Sequence, residues 1–374
     1  MPSFTVAPCL SLLLALFLCT AASAQELPRT GVPQGDPPAA RRLQTPIPPF
    51  PYRSEDVTYF NPQSHLRLAG TLTVPQGAGP FPAVLLISGS GPQDRDESFY
   101  GHKPFLVLAD HLSRQGIAVL RVDDRGVGGS QPALREATTA DLATDVEAGV
   151  AWLRSRSEID PAHIGLIGHS EGGLIAPMVA ARDPAIAFIV LMAGVGVPGR
   201  EDVLAQVRAI NEASGATPAQ LDEALAVARA VQDAAAQPSD LARARAELVR
   251  TLSAVGLPQD AARRQSSTIY SAWFRYFLSY DPAPALTRVQ CPVLALGGTK
   301  DLQVPSRLNL GAIRTALAAN HDATIAELPG LNHLFQTADK GLPSEYAFID
   351  ETLAPEVLKL IGRWVETKVT TARR

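Results

Sequence analysis

The chain has 374 residues, 46% of them hydrophobic, and a formal net charge of −4 at pH 7. This length and apolar content are enough for a large core, and an α/β domain of this size can carry an insertion. The acidic balance argues against nucleic acid or an anionic membrane surface as a main partner.

The first 24 residues have the shape of a cleavable export signal. They contain no Asp, Glu, Lys or Arg, and an apolar run at 10–18 precedes Ala22-Ser23-Ala24. We expect cleavage before Gln25 and export to the periplasm or the medium, with no stable membrane insertion afterwards. An uncleaved signal or a lipid on Cys19 is the alternative and would anchor the protein in a membrane. Cleavage would leave Cys291 as the remaining cysteine, so no internal disulfide is expected.

Residues 25–54 are proline-rich and are predicted to be an extended linker. Strand patterns at 56–60 and 66–74 predict a hairpin, after which strand and helix patterns alternate to residue 198. Such alternation predicts an α/β fold with a mostly parallel sheet and helices on both faces. Residues 199–286 have helical patterns without strands, which predicts a helical cap inserted after the sixth strand. Strand–helix alternation resumes in residues 287–374, so 55–198 and 287–374 are the two parts of one core.

Ser170 is the candidate nucleophile. It is the serine of Gly168-His169-Ser170-Glu171-Gly172, between the apolar run 164–167 and the helix-like stretch 173–180. A serine on such a sharp strand-to-helix turn is held in strained backbone with its hydroxyl projecting from the sheet. The turn also places it at a helix N-terminus, where free N–H groups face a developing oxyanion.

A nucleophilic serine needs a histidine base and a carboxylate that fixes the tautomer of that base. On this scaffold the expected chain order is Ser, acid, His. Of the two histidines after Ser170, His333 follows the strand-like stretch 323–328, whereas His321 ends a predicted helix. Asp301 follows the strand-like stretch 292–298. We therefore predict Ser170, Asp301 and His333 as the catalytic residues, on three strand ends at one edge of the sheet.

The oxyanion hole should have one donor in the backbone N–H of Glu171, the residue after the nucleophile. The other should come from Ser88-Gly89-Ser90-Gly91, which follows the predicted strand at 82–87. We nominate the Ser90 N–H and leave Gly91 open. The nearby charged residues, Asp94, Arg95, Asp96, Asp124 and Arg125, are interpreted as Asp–Arg pairs that brace the loops.

No cofactor and no metal are expected. Residues 194–199 match Gly-x-Gly-x-x-Gly, but a helix follows where a dinucleotide site needs a second strand. The acidic residues near position 95 have no accompanying metal-ligand motif. Six aromatic residues between 270 and 280 either pack the core or line an acyl pocket.

With these segments in order, residues 55–370 resemble an α/β-hydrolase. Besides the serine pentapeptide, the resemblance rests on Ser88-Gly89-Ser90-Gly91-Pro92 and on Asp124-Arg125-Gly126-Val127-Gly128-Gly129-Ser130. Together these segments resemble bacterial serine esterases grouped with the bile-acid-CoA:amino acid N-acyltransferase-like and serine aminopeptidase-like hydrolases. The resemblance implies an acid and a base at the positions of Asp301 and His333.

The expected function is hydrolysis of a small-molecule carboxylic ester through an acyl-enzyme on Ser170. A peptidase of the aminopeptidase type, an acyltransferase to an amine and a catalytically silent binding protein are the alternatives.

Overall fold

The computed structural model describes residues 42–133, 136–236, 240–254 and 257–371. In this part of the chain the strands form a single eight-stranded sheet. The predicted signal, its cleavage site and Cys19 lie outside the described residues. The strands are β1 (Tyr52–Asn61), β2 (Leu66–Pro75), β3 (Phe81–Ile87), β4 (Ala118–Val122), β5 (Ile159–His169), β6 (Phe188–Met192), β7 (Val293–Gly298) and β8 (Ala323–Leu328).

The strand order across the sheet is β1-β2-β4-β3-β5-β6-β7-β8. β1 pairs antiparallel with β2 and β2 pairs antiparallel with β4, while the other neighbours run parallel. The prediction of a mostly parallel sheet is confirmed. Because parallel strands end at the same edge, the loops after β3, β5, β7 and β8 converge there.

Helices cover both faces of the sheet and form an insertion between β6 and β7. In chain order they are α1 (Pro104–Arg114), α2 (Thr139–Arg154), α3 (Glu171–Ala180), α4 (Gly199–Ala213), α5 (Pro218–Ala236), α6 (Leu241–Ala254), α7 (Gln259–Ile269), α8 (Ala272–Ser279), α9 (Ala283–Leu286), α10 (Ser306–Ala316) and α11 (Pro355–Thr371). A short 3₁₀ helix spans Pro343–Phe348.

Successive side chains of the central strands point to opposite faces of the sheet, and they pack into a separate apolar core on each face. Val84 and Leu86 of β3 pack with α1 and α11, whereas Leu85 and Ile87 pack with α2, α3 and α10. Helices therefore pack against both faces of the sheet, and this packing fixes the strand ends from which the loops after β3, β5, β7 and β8 begin.

The insertion covers this edge. Phe274 and Phe277 of α8 share an apolar cluster with Leu174 of α3 and with Val195 and Val304, which follow β6 and β7. The cap therefore packs onto the residues that surround the strand ends.

The N-terminal part of the described chain is attached to the core. β1 begins at Tyr52, inside the predicted linker. Before it, Arg42 Nη1 donates to the Ile349 carbonyl at 2.7 Å, and Gln44 Nε2 donates to the Leu353 carbonyl at 2.7 Å. The end of the proline-rich stretch is thus bound to the loop before α11, which proline content alone does not predict. Within the described ranges, no helix has the length and apolarity needed to cross a bilayer.

Candidate active site

Ser170 lies at the turn between β5 and α3, where the chain reverses within one residue. Its backbone has φ 53° and ψ −115°, a conformation that L-residues rarely adopt. The turn requires glycine on both sides: a Cβ on Gly168 would lie 2.0 Å from the Gly172 carbonyl oxygen, and one on Gly172 would lie 2.1 Å from the Ile87 carbonyl oxygen. Strand and helix can approach closely only without these side chains.

His333 and Asp301 meet in the loops after β8 and β7. His333 Nδ1 and Asp301 Oδ2 are 2.9 Å apart, and the Asp301 side chain is fully buried. Asp301 Oδ1 accepts the backbone N–H groups of Gln303 and Val304, each at 2.9 Å. Both carboxylate oxygens are therefore engaged, which fixes the orientation of the imidazole partner.

Ser170 and His333 line one cavity of about 110 Å³ at the edge where the strands end. Among the described residues, the side chain of His333 is hydrogen-bonded to Asp301 and not to the Ser170 hydroxyl. Such a serine–histidine contact commonly tightens only when substrate binds. His321 lies exposed immediately before β8, at the opposite edge of the sheet.

The two nominated oxyanion donors, Ser90 and Glu171, line the same cavity. The N–H of Glu171 is the first of α3 and so has no acceptor within the helix. Gly91, which the sequence left open, lines a separate cavity of about 250 Å³ with Pro92. The Gly89 N–H is occupied, since it donates to Glu97 Oε1 at 2.6 Å. These contacts favour the backbone N–H of Ser90 over those of Gly89 and Gly91 as the second oxyanion donor.

The side chain of Glu171 ties the turn to the cap. Its Oε1 accepts from Thr139 Oγ1 at 2.6 Å and from Trp273 Nε1 of α8 at 2.7 Å. Burial raises the pKa of Glu171, and the hydrogen bonds from Thr139, Trp273 and Ser90 oppose that rise. The residue nominated as a backbone donor is thus held in place by its own side chain.

Charged side chains brace the loop at 88–103, between β3 and α1, which carries Ser90 and is called the oxyanion loop below. Arg95 Nη2 pairs with Asp123 Oδ2 at 2.7 Å, a residue that the sequence analysis did not name. Asp124 instead accepts from Ser88 Oγ at 3.0 Å and from the Gln93 N–H at 2.9 Å, and its burial raises its pKa to about 8.

Elsewhere in these loops the charges are also paired. Arg125 Nε binds Asp145 Oδ2 at 2.5 Å, and Asp96 bonds to Arg121 and Lys103. The bracing role predicted for these residues matches their contacts.

Three titratable residues that line the cavity were given no role from the sequence. Glu97, in the oxyanion loop, and His169, next to Ser170, form a buried pair with Oε1 and Nδ1 2.9 Å apart. Asp202 of α4 accepts from Asn309 Nδ2 at 2.9 Å, and burial raises its pKa to about 7. These contacts join residues far apart in the chain, so no local pattern signals them.

The aromatic residues of the cap divide between the two roles considered. Trp273, Phe274 and Phe277 line the cavity, while Tyr276 and Tyr280 stack on each other and pack against the main core. Together with Val195, Val203 and Leu334, the first three give the cavity a largely apolar wall. Such a wall suits the hydrocarbon part of a small ligand. Within the described residues, no cluster of three or more His, Cys, Asp and Glu has a metal-binding arrangement.

Comparison with known proteins agrees with this architecture. A family model described as X-Pro dipeptidyl-peptidase (S15 family) matches residues 64–317. Esterase EstD of Thermotoga maritima is 25% identical over 329 residues, which cover 85% of this chain and 69% of that esterase.

Two solved structures show the same fold at low sequence identity. A Pyrococcus furiosus esterase has a TM-score of 0.54 at 16% identity, covering 84% of this chain and 91% of its own. The α/β-hydrolase GrgF of Penicillium has a TM-score of 0.51 at 17% identity, covering 84% of this chain and 98% of its own. With its fold, its strand-end cavity and the family match taken together, this chain belongs to the X-Pro dipeptidyl-peptidase (S15) family of α/β-hydrolases.

Proposed function

We propose that this protein is a serine hydrolase that cleaves carboxylic esters of small molecules. The observation that carries the proposal is the buried 2.9 Å bond between His333 and Asp301, in a cavity that Ser170 also lines. The likeness to an esterase over 85% of the chain supports the choice of esters.

In the proposed reaction, Ser170 Oγ attacks the acyl carbon and its proton passes to His333 Nε2. The N–H groups of Glu171 and Ser90 stabilise the resulting oxyanion. The tetrahedral intermediate expels the alcohol, which takes the proton from His333 and leaves an acyl group on Ser170. His333 then deprotonates a water molecule that attacks the acyl carbon, and the carboxylic acid leaves as Ser170 regains its proton.

The test is hydrolysis of p-nitrophenyl acetate by Ser170→Ala. Loss of the nucleophile should lower kcat by roughly 10⁶-fold. Ser155→Ala, which removes an exposed hydroxyl at the end of α2, is the matched control and should keep the wild-type rate. A folded Ser170→Ala protein that hydrolyses the ester at the wild-type rate would refute the proposal.

A peptidase acting at the N-terminus of its substrate is the second candidate. The matching family is described by such an activity, and the carboxyl groups of Glu97 and Asp202 line the cavity, where a substrate ammonium group could meet them. Both carboxyls, however, already have protein partners in His169 and Asn309. Comparing kcat/KM for Xaa-Pro p-nitroanilides with that for p-nitrophenyl esters separates the two activities; a higher value for the anilides would favour the peptidase.

Acyl transfer to an amine is the remaining candidate. If the acyl donor were a coenzyme A thioester, its phosphate groups would find no cationic partner in the cavity, since none of the described residues that line it is Lys or Arg. Product analysis with added glycine or taurine checks this point, and free acid should be the product.

We further propose that the protein is exported. The support is the charge-free apolar run at 10–18, followed by small residues before Gln25. N-terminal sequencing of protein recovered from a bacterial periplasm should begin at Gln25. Retention of Met1 in a membrane fraction would instead indicate an anchor.

A further inference from the structure

A second acid–histidine pair lies directly behind the candidate nucleophile. Glu97 and His169 have side chains only 5% and 8% exposed, and Glu97 Oε1 lies 2.9 Å from His169 Nδ1. The ring of His169 is 4.8 Å from that of His333, centroid to centroid. Neither side chain has a part in the Ser170–His333–Asp301 reaction.

Hydrogen bonds from this pair connect the three loops that build the site. Glu97 Oε1 also accepts the N–H of Gly89, in the oxyanion loop, at 2.6 Å. On its other side, His169 Nε2 bonds to the backbone carbonyl of His333 at 2.9 Å. These hydrogen bonds therefore link the loop that carries Ser90 to His169, the residue before Ser170, and link His169 to the loop that carries His333.

The contacts define the protonation of the pair. The carbonyl of His333 can only accept, so Nε2 of His169 must carry a proton. Glu97 Oε1 is already an acceptor for Gly89, and as a carboxylate oxygen it accepts from Nδ1 as well. Burial opposes a charge on His169, but the Glu97 carboxylate and these hydrogen bonds raise the pKa of His169. An imidazolium–carboxylate pair satisfies all three bonds.

The backbone around Glu97 and Gly89 is tightly constrained, so neither residue can move without displacing its neighbours. Glu97 has φ 51°, in the left-handed region that non-glycine residues seldom occupy. A Cβ on Gly89 would lie 3.2 Å from Glu97 Oε1 and 3.2 Å from Ser170 Cβ, so the oxyanion loop passes tightly between the pair and the nucleophile. A shift of the Glu97 carboxylate would be transmitted directly to both neighbours.

We propose that Glu97 and His169 are positioning residues that set the spacing between the oxyanion donors, Ser170 and His333. This inference rests on the proposed hydrolase function. Loss of the pair frees the Gly89 N–H and the His333 carbonyl, and a displacement of about 1 Å at a reacting group can cost roughly 100-fold in rate.

Replacement of Glu97 by Ala and by Gln tests the inference. Glu97→Ala removes the acceptor shared by Gly89 and His169, and we expect kcat for p-nitrophenyl acetate to fall about 100-fold with KM little changed. Glu97→Gln keeps the side-chain length and an acceptor oxygen for the Gly89 N–H. A neutral His169 beside it keeps the Nε2–H bond to the His333 carbonyl and loses only the Nδ1–H bond, so the expected loss is smaller than that of Glu97→Ala. Rescue by Gln distinguishes positioning from a requirement for the charge.

His169→Phe is the second variant, because it keeps a ring while removing both N–H groups, and it should lose activity about as much as Glu97→Ala. Each variant is compared with wild type and Ser170→Ala and is checked for folding by circular dichroism. A folded Glu97→Ala or His169→Phe protein with the wild-type kcat overturns the inference, as does an equal loss in Glu97→Ala and Glu97→Gln. Wild-type activity in Ser170→Ala would instead refute the hydrolase proposal itself, so the two failures are distinguishable.

Discussion

Replacing Asp301 by Asn should inactivate the enzyme while leaving its fold intact. Asp301 Oδ1 accepts two backbone N–H groups at 2.9 Å, from Gln303 and Val304, while Oδ2 faces His333 Nδ1 at 2.9 Å. In Asp301→Asn the amide oxygen is required at the Oδ1 position, since only an acceptor can satisfy those N–H groups. The amide NH₂ must then point at His333 Nδ1.

An amide N–H is a donor, so it selects the tautomer of His333 in which Nδ1 is bare and Nε2 carries the proton. An imidazole protonated at Nε2 cannot take the proton of Ser170. The wrong tautomer costs about 10⁴-fold in kcat in a Ser-His-Asp triad, which corresponds to about 5 kcal/mol of lost transition-state stabilisation. The melting temperature should change little, because each buried polar group keeps a partner.

The assay is the steady-state rate with p-nitrophenyl acetate, measured alongside a thermal melt. Asp339→Asn, at an exposed position in the same region of the chain, is the matched control and should retain the wild-type rate. If Asp301→Asn melts like wild type and its kcat lies within tenfold of wild type, then the carboxylate does not set the tautomer and the assignment of Asp301 is wrong.

Three other predictions concern the fold around the site. Burial raises the pKa of Asp202 to about 7, so the folded state holds its proton more tightly than the unfolded state and stability declines as pH rises from about 4 through 7. The melting temperature of Asp202→Asn should therefore exceed that of wild type at pH 8.5 but not at pH 5. The same difference in melting temperature between variant and wild type at both pH values would contradict this prediction. Gly172→Ala places a Cβ 2.1 Å from the Ile87 carbonyl oxygen and should lower both melting temperature and activity. Gly311→Ala, inside α10, adds a Cβ that meets no atom from outside its own helix backbone within 4 Å, and should stabilise the protein by about 1 kcal/mol. Trp273 lines both the cavity that Ser170 lines and the separate cavity beside Gly91. Trp273→Ala should therefore raise kcat/KM for octanoate relative to butyrate p-nitrophenyl esters, and an unchanged ratio would exclude Trp273 as the wall between the two cavities.

The fold could be predicted because its signals are local. Apolar runs that end in glycine-rich turns indicate β3, β5 and β7, and their alternation with helical patterns indicates a parallel sheet. Once the sheet is parallel, the residues that follow its strands must share an edge. This is why chain order alone could nominate Ser170, Asp301 and His333 together.

Contacts between distant residues could not be predicted in the same way. Glu97 and His169 are 72 positions apart, and the positive φ of Glu97 falls on a residue that is not glycine. The pairing of Arg95 with Asp123 joins the oxyanion loop to the end of β4, 28 positions along the chain, and no local pattern assigns that partner. Likewise, the attachment of Arg42 and Gln44 to the loop before α11 arises from tertiary packing.

The central claim is that Ser170 becomes the nucleophile of the reaction, and covalent labelling tests it most directly. The protein is treated with a fluorophosphonate, digested with trypsin and analysed by mass spectrometry. We expect one phosphonate adduct on Ser170, in the tryptic peptide that spans 157–182, and loss of ester hydrolysis in proportion to the labelling. Full inhibition with the adduct on another residue, or full labelling of Ser170 with activity retained, would contradict it.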